Sequence, residues 1–95
     1  MKTKHAATTF GQVYQRSLQP TLQVMGNNFN LLRKGRQQDI DAVAAAVNVG
    51  PEILEQIEKG EHDPSIKTFF DLCDYYHVEF ESVIGKGIWV FLKLE

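Results

Sequence analysis

The segment from Pro51 to Lys59, PEILEQIEK, carries the polar side chains whose spacing is best suited to chemistry. Its residues Glu52, Glu55, Gln56 and Lys59 recur at intervals of three and four, so on a helix they share one face. Two carboxylates, an amide and an ammonium group can donate and accept hydrogen bonds on that face. The sequence offers no defensible set of nucleophile, base and orienting residue, and no glycine-rich phosphate loop. The pattern therefore predicts a binding surface and not an enzyme.

Charge is unevenly distributed along the chain. The 95 residues carry a net charge of -2, which argues against indiscriminate binding to a polyanion. Twelve acids and four lysines follow from Asp39 onward, whereas no acid precedes it. The basic residues before it are Lys2, Lys4, Arg16, Arg33, Lys34 and Arg36. This division predicts either a basic face on an acidic molecule or an attraction between the two halves, and both interpretations stay open.

Length and composition predict one soluble globular domain. A chain of 95 residues with 43% hydrophobic and 23% charged residues can bury a core. No apolar run reaches the roughly 20 residues of a membrane span, and the N-terminus has no apolar segment of signal-peptide length. The lone Cys73 has no partner for a disulfide or a zinc site. We expect a cytoplasmic protein that uses no cofactor or metal and does not enter the membrane.

Hydrophobic periodicity predicts the helices that position the polar face. Asp39 is a favourable N-cap, Asn48 suits a left-handed turn, and Gly60 suits a helix end. Pro51 is well placed as the first residue of a helix. Two short helices joined by a three-residue turn and flanked by other helices form a helix-turn-helix. The expected helices span residues 9–18, 20–34, 40–47, 51–59, 65–76 and 80–84.

The C-terminal segment IWVFLK, residues 88–93, is apolar, β-branched and aromatic, which predicts a short β-strand. A single strand in a helical domain leaves an exposed edge. The strand is therefore expected either to pack on the helices or to pair with a second copy of the chain. We favour pairing across a two-fold axis, because it satisfies the backbone of the strand and gives a homodimer. The expected dimer contacts are Ile88, Trp89, Val90 and Phe91.

Residues 26–85 resemble the Cro/phage-repressor (lambda-repressor-like) family of helix-turn-helix domains. The stretch GNNFNLLRKGRQQD is similar to the first helix of that family, and VAAAVNVGPEILEQIEKG to its helix-turn-helix. DPSIKTFFDLCDYYHVEFESVIG is similar to its closing helices, and ILEQIEKG is the most specific piece. The resemblance implies an all-α bundle of about five helices, to which this chain adds an N-terminal helix and a C-terminal strand. The expected division is a 1–20 extension, a 21–85 helix-turn-helix domain and an 86–95 tail, whose last two residues look like a cloning scar.

The resemblance also implies a function, that of a sequence-specific DNA-binding transcriptional regulator that reads the major groove with helix 51–59. Base reading would fall to Pro51 against a thymine methyl, Glu52 against a cytosine amino group and Gln56 against an adenine edge. Arg33 and Glu58 occupy positions that commonly form a structural ion pair in the family. The candidates for phosphate contacts are Lys59, Lys34, Arg36, Lys2 and Lys4, with Arg16 in the same basic segment.

Several residues depart from the family pattern. Ile40 occupies a position where the family usually has a glutamine that contacts the DNA backbone. The loop Glu61-His62-Asp63 is acidic where the family is often basic, and Glu52 lies at a helix N-terminus that would otherwise attract phosphate. These departures favour an alternative, a protein-interaction module with this fold that binds a basic protein partner. Such a module would be a co-regulator, an antitoxin or a mobile-element accessory protein.

One polar cluster on the first helix has two interpretations. Asn27, Asn28 and Asn30 lie within four residues of each other and give this helix a polar side. We expect them to be solvated surface, and the alternative is a contact to DNA.

Overall fold

The computed structural model describes residues 18–84, which form five α-helices. All the regular elements of this range are helical, which confirms the predicted all-α bundle. Of the expected helix over 9–18 only Leu18 is described, where it begins the next helix, and the expected strand near the C-terminus lies outside the described residues. Among residues 18–84, none of the helices could span a lipid bilayer. The helices are α1 (Leu18–Gly35), α2 (Ile40–Ala46), α3 (Pro51–Glu58), α4 (Ile66–Tyr76) and α5 (Phe80–Val83).

The helices begin near the residues at which the sequence pattern predicts helix starts. α1 starts at Leu18, two residues before the expected Pro20, and the proline is tolerated because the first turn of a helix has no intrahelical acceptors for its N–H groups. Asp39 precedes α2 in an extended conformation, although its carboxylate makes no capping hydrogen bond. Ser65 caps α4 fully, since its Oγ accepts a hydrogen bond of 3.0 Å from the backbone N–H of Thr68.

The first four helices all end in the same backbone motif. After each helix one residue adopts the left-handed conformation, and the next residue donates its N–H to the carbonyl five positions earlier at 2.9–3.0 Å. The left-handed residue itself donates its N–H to the carbonyl three positions earlier. These two hydrogen bonds together define the Schellman motif. Two of the left-handed residues were expected and two were not. They are Gln37, Asn48, Gly60 and His77, with φ of 56°, 62°, 76° and 58°.

The core lies between α1 and the other helices. Phe29 of α1 is fully buried and packs edge-on against Phe69 of α4, with ring centroids 6.0 Å apart. The ring of Tyr76 stacks on that of Phe29, with centroids 6.2 Å apart. α1 and α3 also contribute fully buried aliphatic side chains, so α3 rests on a packed support. These side chains are Met25, Leu32, Leu54 and Ile57.

Two glycines bring the backbones of α1 and α3 into direct contact. A Cβ atom on Gly26 of α1 would lie 2.2 Å from the carbonyl oxygen of Ile57 in α3. A Cβ atom on Gly60, just after α3, would lie 2.8 Å from the Cα of Gln23 in α1. Contacts this short exclude any side chain at either position. The orientation of α3 on α1 is therefore set by backbone contact at its C-terminal end.

Candidate nucleic-acid interface

α2 and α3 are joined by a short turn that fixes one helix on the other. Asn48 takes the left-handed conformation in this turn, and Val49 after it is half-buried against the core. Gly50 is the extended N-cap residue of α3, and Pro51 is its first residue. Val43 is fully buried in the core cluster that these helices share. The two helices and their turn therefore have the arrangement of a helix-turn-helix.

The polar face of α3 lies on the surface. Glu52, Glu55, Gln56 and Lys59 are all exposed, and Pro51 is exposed beside them. The opposite face of the same helix carries fully buried side chains and cannot turn outward without unpacking the core. The residues whose spacing predicted a binding surface are therefore presented together to solvent.

Glu58 lies at the end of α3 but belongs to the interior. It is only 8% exposed. Its Oε2 lies 2.8 Å from Nε of Arg33, and its Oε1 accepts from Nη2 of Arg33 at 3.0 Å and from Nδ2 of Asn30 at 2.9 Å. Arg33 also donates through Nη1 to the backbone carbonyl of Gln38 at 3.2 Å. The hydrogen bonds to Glu58 raise the pKa of the Arg33 guanidinium, which therefore stays charged.

The basic residues near this face differ in their availability. Lys59 follows α3 and is exposed, and Lys34 is exposed in the last turn of α1. Arg36 is half-buried and donates through Nη1 to the backbone carbonyl of Tyr76 at 2.6 Å. Its Cζ atom lies 5.8 Å from the centroid of the Tyr76 ring. The guanidinium expected at a phosphate is thus engaged with the end of α4. Lys2, Lys4 and Arg16 lie outside the described residues.

The described domain carries more acidic than basic residues. Ile40 is half-buried and packs against the core cluster. Asp41 on α2 is exposed, as is Glu61 after α3. Residues 18–84 contain eleven acidic and five basic residues, a net charge of -6. The domain itself therefore repels a polyanion at long range.

A polar depression lies between α1 and α3, beside the exposed face of α3. Asn30 belongs to this depression and supports Glu58 by its hydrogen bond. Sequence reasoning did not predict this role, although Asn30 lies three residues before Arg33 and so faces the same way on a helix. The depression is lined by Asn27, Asn30, Arg33, Glu55, Glu58 and Lys59.

Asn28 corrects the expectation that the asparagine cluster is solvated surface. It is only 6% exposed, and its Nδ2 donates to the backbone carbonyl of Val83 at 2.5 Å. This bond ties the middle of α1 to the last residue of α5. This hydrogen bond depends on tertiary packing, because nothing in the local sequence places the end of α5 beside Asn28.

The core also contains two titratable groups that do not belong to the exposed face of α3. Burial raises the pKa of the Cys73 thiol to about 12. Burial also raises the pKa of the Tyr76 hydroxyl, and the nearby Glu58 carboxylate adds to the shift. Both groups are therefore neutral at physiological pH.

Comparison with known proteins agrees with this geometry. A profile of the helix-turn-helix family matches residues 31–83, more than half of the chain. The chain belongs to the Cro/C1-type helix-turn-helix family. Among solved structures it is similar to the crystal structure of the clp gene regulator ClgR from Corynebacterium glutamicum. The two share 18% identity over 84% of this chain and 81% of that chain, with a TM-score of 0.65. A search of curated proteins found no match.

The helix-turn-helix match covers the elements that build the exposed face. It begins in the second half of α1 and ends at the last residue of α5, so it contains α2, the turn and α3 completely. The likeness to ClgR, at this level of identity, shows that the two chains share a fold. Residues 1–30 lie outside the family match, and so do residues 84–95.

Proposed function

We propose that this chain is a sequence-specific DNA-binding transcription regulator that inserts α3 into the major groove. The observation that carries the proposal is the exposed face of α3 on a helix-turn-helix whose other face is locked into the core. Helices of this family are presented to DNA in this manner, with their N-terminal residues toward the bases. The family is one of DNA-binding regulators, which are not typically enzymes.

Three exposed residues of α3 suit direct reading of bases. The amide of Gln56 can both donate to and accept from one adenine edge, which gives a bidentate contact. Glu52 can accept a hydrogen bond from a cytosine amino group, and Pro51 can contact a thymine methyl. A good bidentate pair contributes about 1–3 kcal/mol of discrimination against the wrong base. Gln56 is therefore the strongest candidate for specificity.

The phosphate contacts must come from a limited set of basic residues. Lys34 and Lys59 are exposed on the domain, whose net charge is otherwise acidic. Lys2, Lys4 and Arg16 belong to the basic N-terminal segment and would add contacts to the flanking backbone. Because phosphate contacts supply most non-specific affinity, one copy of this chain has few of them. We therefore include in the proposal a homodimer that pairs through the C-terminal strand and doubles the contacts.

A second candidate function is supported by the acidity of the same face. Glu52 and Glu55 are exposed on α3, and Ile40 packs inward where a polar contact to the DNA backbone is usual. A face with two carboxylates and one lysine is complementary to a basic protein. The chain would then be a protein-interaction module, for example a co-regulator or an antitoxin, that retains the fold without strong DNA binding.

Selection from a random DNA pool tests the first proposal. We expect the full chain to enrich a defined site at about 50 mM salt, where phosphate contacts are strongest. Gln56→Ala should lose preference at one base position and bind that site about 10-fold more weakly. Glu55→Gln is the matched control, because it lies on the same exposed face outside the reading positions and should keep the same site. If the pool yields no retained DNA even at this salt, the interaction module becomes the better proposal.

A further inference from the structure

The side chains of two phenylalanines, one from α4 and one from α5, form an exposed aromatic patch. Phe70 of α4 is 44% exposed and Phe80, the first residue of α5, is 40% exposed. Their ring centroids are 5.9 Å apart in an edge-on arrangement. Phe70 also contacts the buried Phe69 at 5.2 Å, so the patch is continuous with the core. We call Phe70 and Phe80 the aromatic pair; it presents apolar surface of two helices at one place.

The chain leaves the described domain next to the aromatic pair. Phe80 begins a helix of four residues, and the described chain ends at Ile84, one turn later. The spacer Gly85-Lys86-Gly87 reaches at most about 10 Å. The segment 88–92, IWVFL, then follows and is uncharged throughout. This apolar segment therefore starts within reach of the aromatic pair.

The segment 88–92 needs more than a paired strand to bury its side chains. In a strand Ile88, Val90 and Leu92 point to one face, and Trp89 and Phe91 point to the other. Pairing with a second copy would satisfy the backbone but would leave both faces of the ribbon apolar and exposed. A two-stranded ribbon is marginal in water unless it packs on another surface. The paired segments therefore require an apolar surface on the domains.

We propose that segments 88–92 of two copies form an antiparallel ribbon that packs on the aromatic pair of both domains, with Trp89 and Phe91 against its rings. This inference rests on the proposed homodimer and names the surface that the ribbon covers. A two-fold axis perpendicular to the ribbon places equivalent side chains of both strands on one face. One face of the ribbon therefore contacts both domains.

The other exposed apolar side chains of the described domain fit this ribbon less well. Val24 and Leu31 are each 40% exposed on α1. They are seven residues apart, which is about 10 Å along a helix. The aromatic pair, in contrast, brings side chains of two helices into contact at the point where the chain continues.

The single tryptophan of the chain allows a direct test. Trp89 is the only tryptophan, so its emission reports on the ribbon alone. In the full chain without DNA, we expect the emission to shift to the blue as concentration rises and dimers form. Phe70→Gln and Phe80→Gln should each raise the dimer dissociation constant at least 10-fold in sedimentation and return the emission to the red. Leu31→Gln is the matched control, with similar exposure on α1, and should change neither quantity.

Folding and association are separated by two further measurements. Cooperative thermal unfolding verifies that each Phe variant is folded, and Trp89→Gln removes the ribbon side of the contact without altering the described domain. We expect Trp89→Gln to weaken the dimer as much as the Phe variants do.

Several outcomes would overturn the assignment. If both Phe variants dimerise as the parent does while deletion of residues 88–95 abolishes the dimer, the ribbon exists but packs elsewhere. Equal weakening by Leu31→Gln would also contradict the choice of the aromatic pair. A monomer with blue-shifted emission at every concentration would mean that the segment covers its own domain. None of these results depends on DNA, so the proposed DNA binding stands or fails separately.

Discussion

Glu58 lies at the end of the proposed recognition helix, yet its carboxylate is used inside the domain. Both of its oxygens accept hydrogen bonds from Arg33, and Oε1 accepts a further one from Asn30. The pair is largely removed from water, with side-chain exposures of 15% for Arg33 and 5% for Glu58. Losing one partner of a buried pair leaves the other charge without compensation, at a cost of about 3–5 kcal/mol.

Arg33→Ala should therefore destabilise the domain before it affects any partner. We expect the free energy of unfolding to fall by about 3 kcal/mol or more, because the buried Glu58 side chain loses its two hydrogen bonds from Arg33. Urea denaturation measures this change. Lys34→Ala is the control, since Lys34 is the exposed neighbour and should change stability by less than about 0.5 kcal/mol. A folded Arg33→Ala protein with the stability of the parent would refute the structural role of this pair.

Cys73 predicts a loss of stability at alkaline pH. Burial raises its pKa to about 12 in the folded chain, whereas an unfolded cysteine has a pKa of about 8.5. The stabilising effect of the neutral thiol is therefore complete below about pH 8.5 and is lost as pH rises toward 12, because the unfolded state releases its proton first.

Between pH 7 and pH 10 we expect Cys73 to lower the free energy of unfolding by about 1–2 kcal/mol. Denaturant titrations at both pH values, on the parent and on Cys73→Ala, isolate this contribution. The variant should show a smaller difference between the two pH values. The raised pKa of Tyr76 acts in the same direction, but it acts mainly above pH 10, the usual pKa of tyrosine. Identical pH dependence in parent and variant would exclude the thiol as its cause.

At the scale of the helices, residues that act locally were predictable. Pro51 and Ser65 favour helix starts by their own chemistry, and both helices begin where the sequence indicates. Asn48 and Gly60 tolerate a left-handed backbone for equally local reasons. Gln37 and His77 adopt the same conformation although glycine and asparagine are the usual residues there. Their backbone is imposed by the packing of the helices on either side, which sequence periodicity does not describe.

Gly26 shows the same limit more strongly. From the sequence, a glycine in the middle of a helix is expected to lower the stability of α1. In the fold, Gly26 permits the contact between α1 and α3. A methyl group there would meet the Ile57 carbonyl oxygen at 2.2 Å and that of Glu58 at 2.9 Å. Backbone atoms cannot yield as a flexible side chain does, so the helices would have to separate.

Gly26→Ala should thus lower the free energy of unfolding by about 1–3 kcal/mol, the usual range for overpacking. Thermal or urea unfolding measures the loss. Gly35→Ala provides the control: Gly35 is exposed at the last residue of α1, and helix propensity alone predicts a neutral or stabilising change of up to about 1 kcal/mol. Should the two variants prove equally stable, the contact between the backbones would be looser than the structure indicates.

At the scale of the whole molecule, the exposed face of α3 was predictable and its surroundings were not. Helical spacing alone places Glu52, Gln56 and Lys59 on one side, and the exposures agree. The burial of Asn28 and the engagement of Arg36 with Tyr76 join residues that are 55 and 40 positions apart. Contacts at such separations depend on how the helices assemble, and no local pattern contains them.

The acidic balance of the domain predicts that the proposed DNA binding depends on the N-terminal basic residues. We expect log affinity to fall linearly with log salt, with a slope that loses about one unit for each phosphate contact removed. Neutralising Lys2, Lys4 and Arg16 together with glutamine should therefore flatten the slope and weaken binding to all DNA sequences alike. Fluorescence anisotropy over a salt series measures both quantities.

Lys67→Gln is the control for this experiment. Lys67 is exposed on α4, where its ammonium group lies 2.7 Å from the Asp71 carboxylate, and it should leave the slope unchanged. An unchanged slope in the triple variant as well would show that the N-terminal segment makes no contact to the DNA backbone.

The glycine contact between α1 and α3 has a consequence for altering specificity. It anchors α3 through backbone atoms near its C-terminal end, whereas Pro51, Glu52 and Gln56 are solvent-facing and take no part in that contact. Side chains at these three positions can accordingly be exchanged without repacking the interior. A library randomised at these positions should yield mostly folded proteins, so the proposed sequence preference for DNA can be altered without first restoring stability.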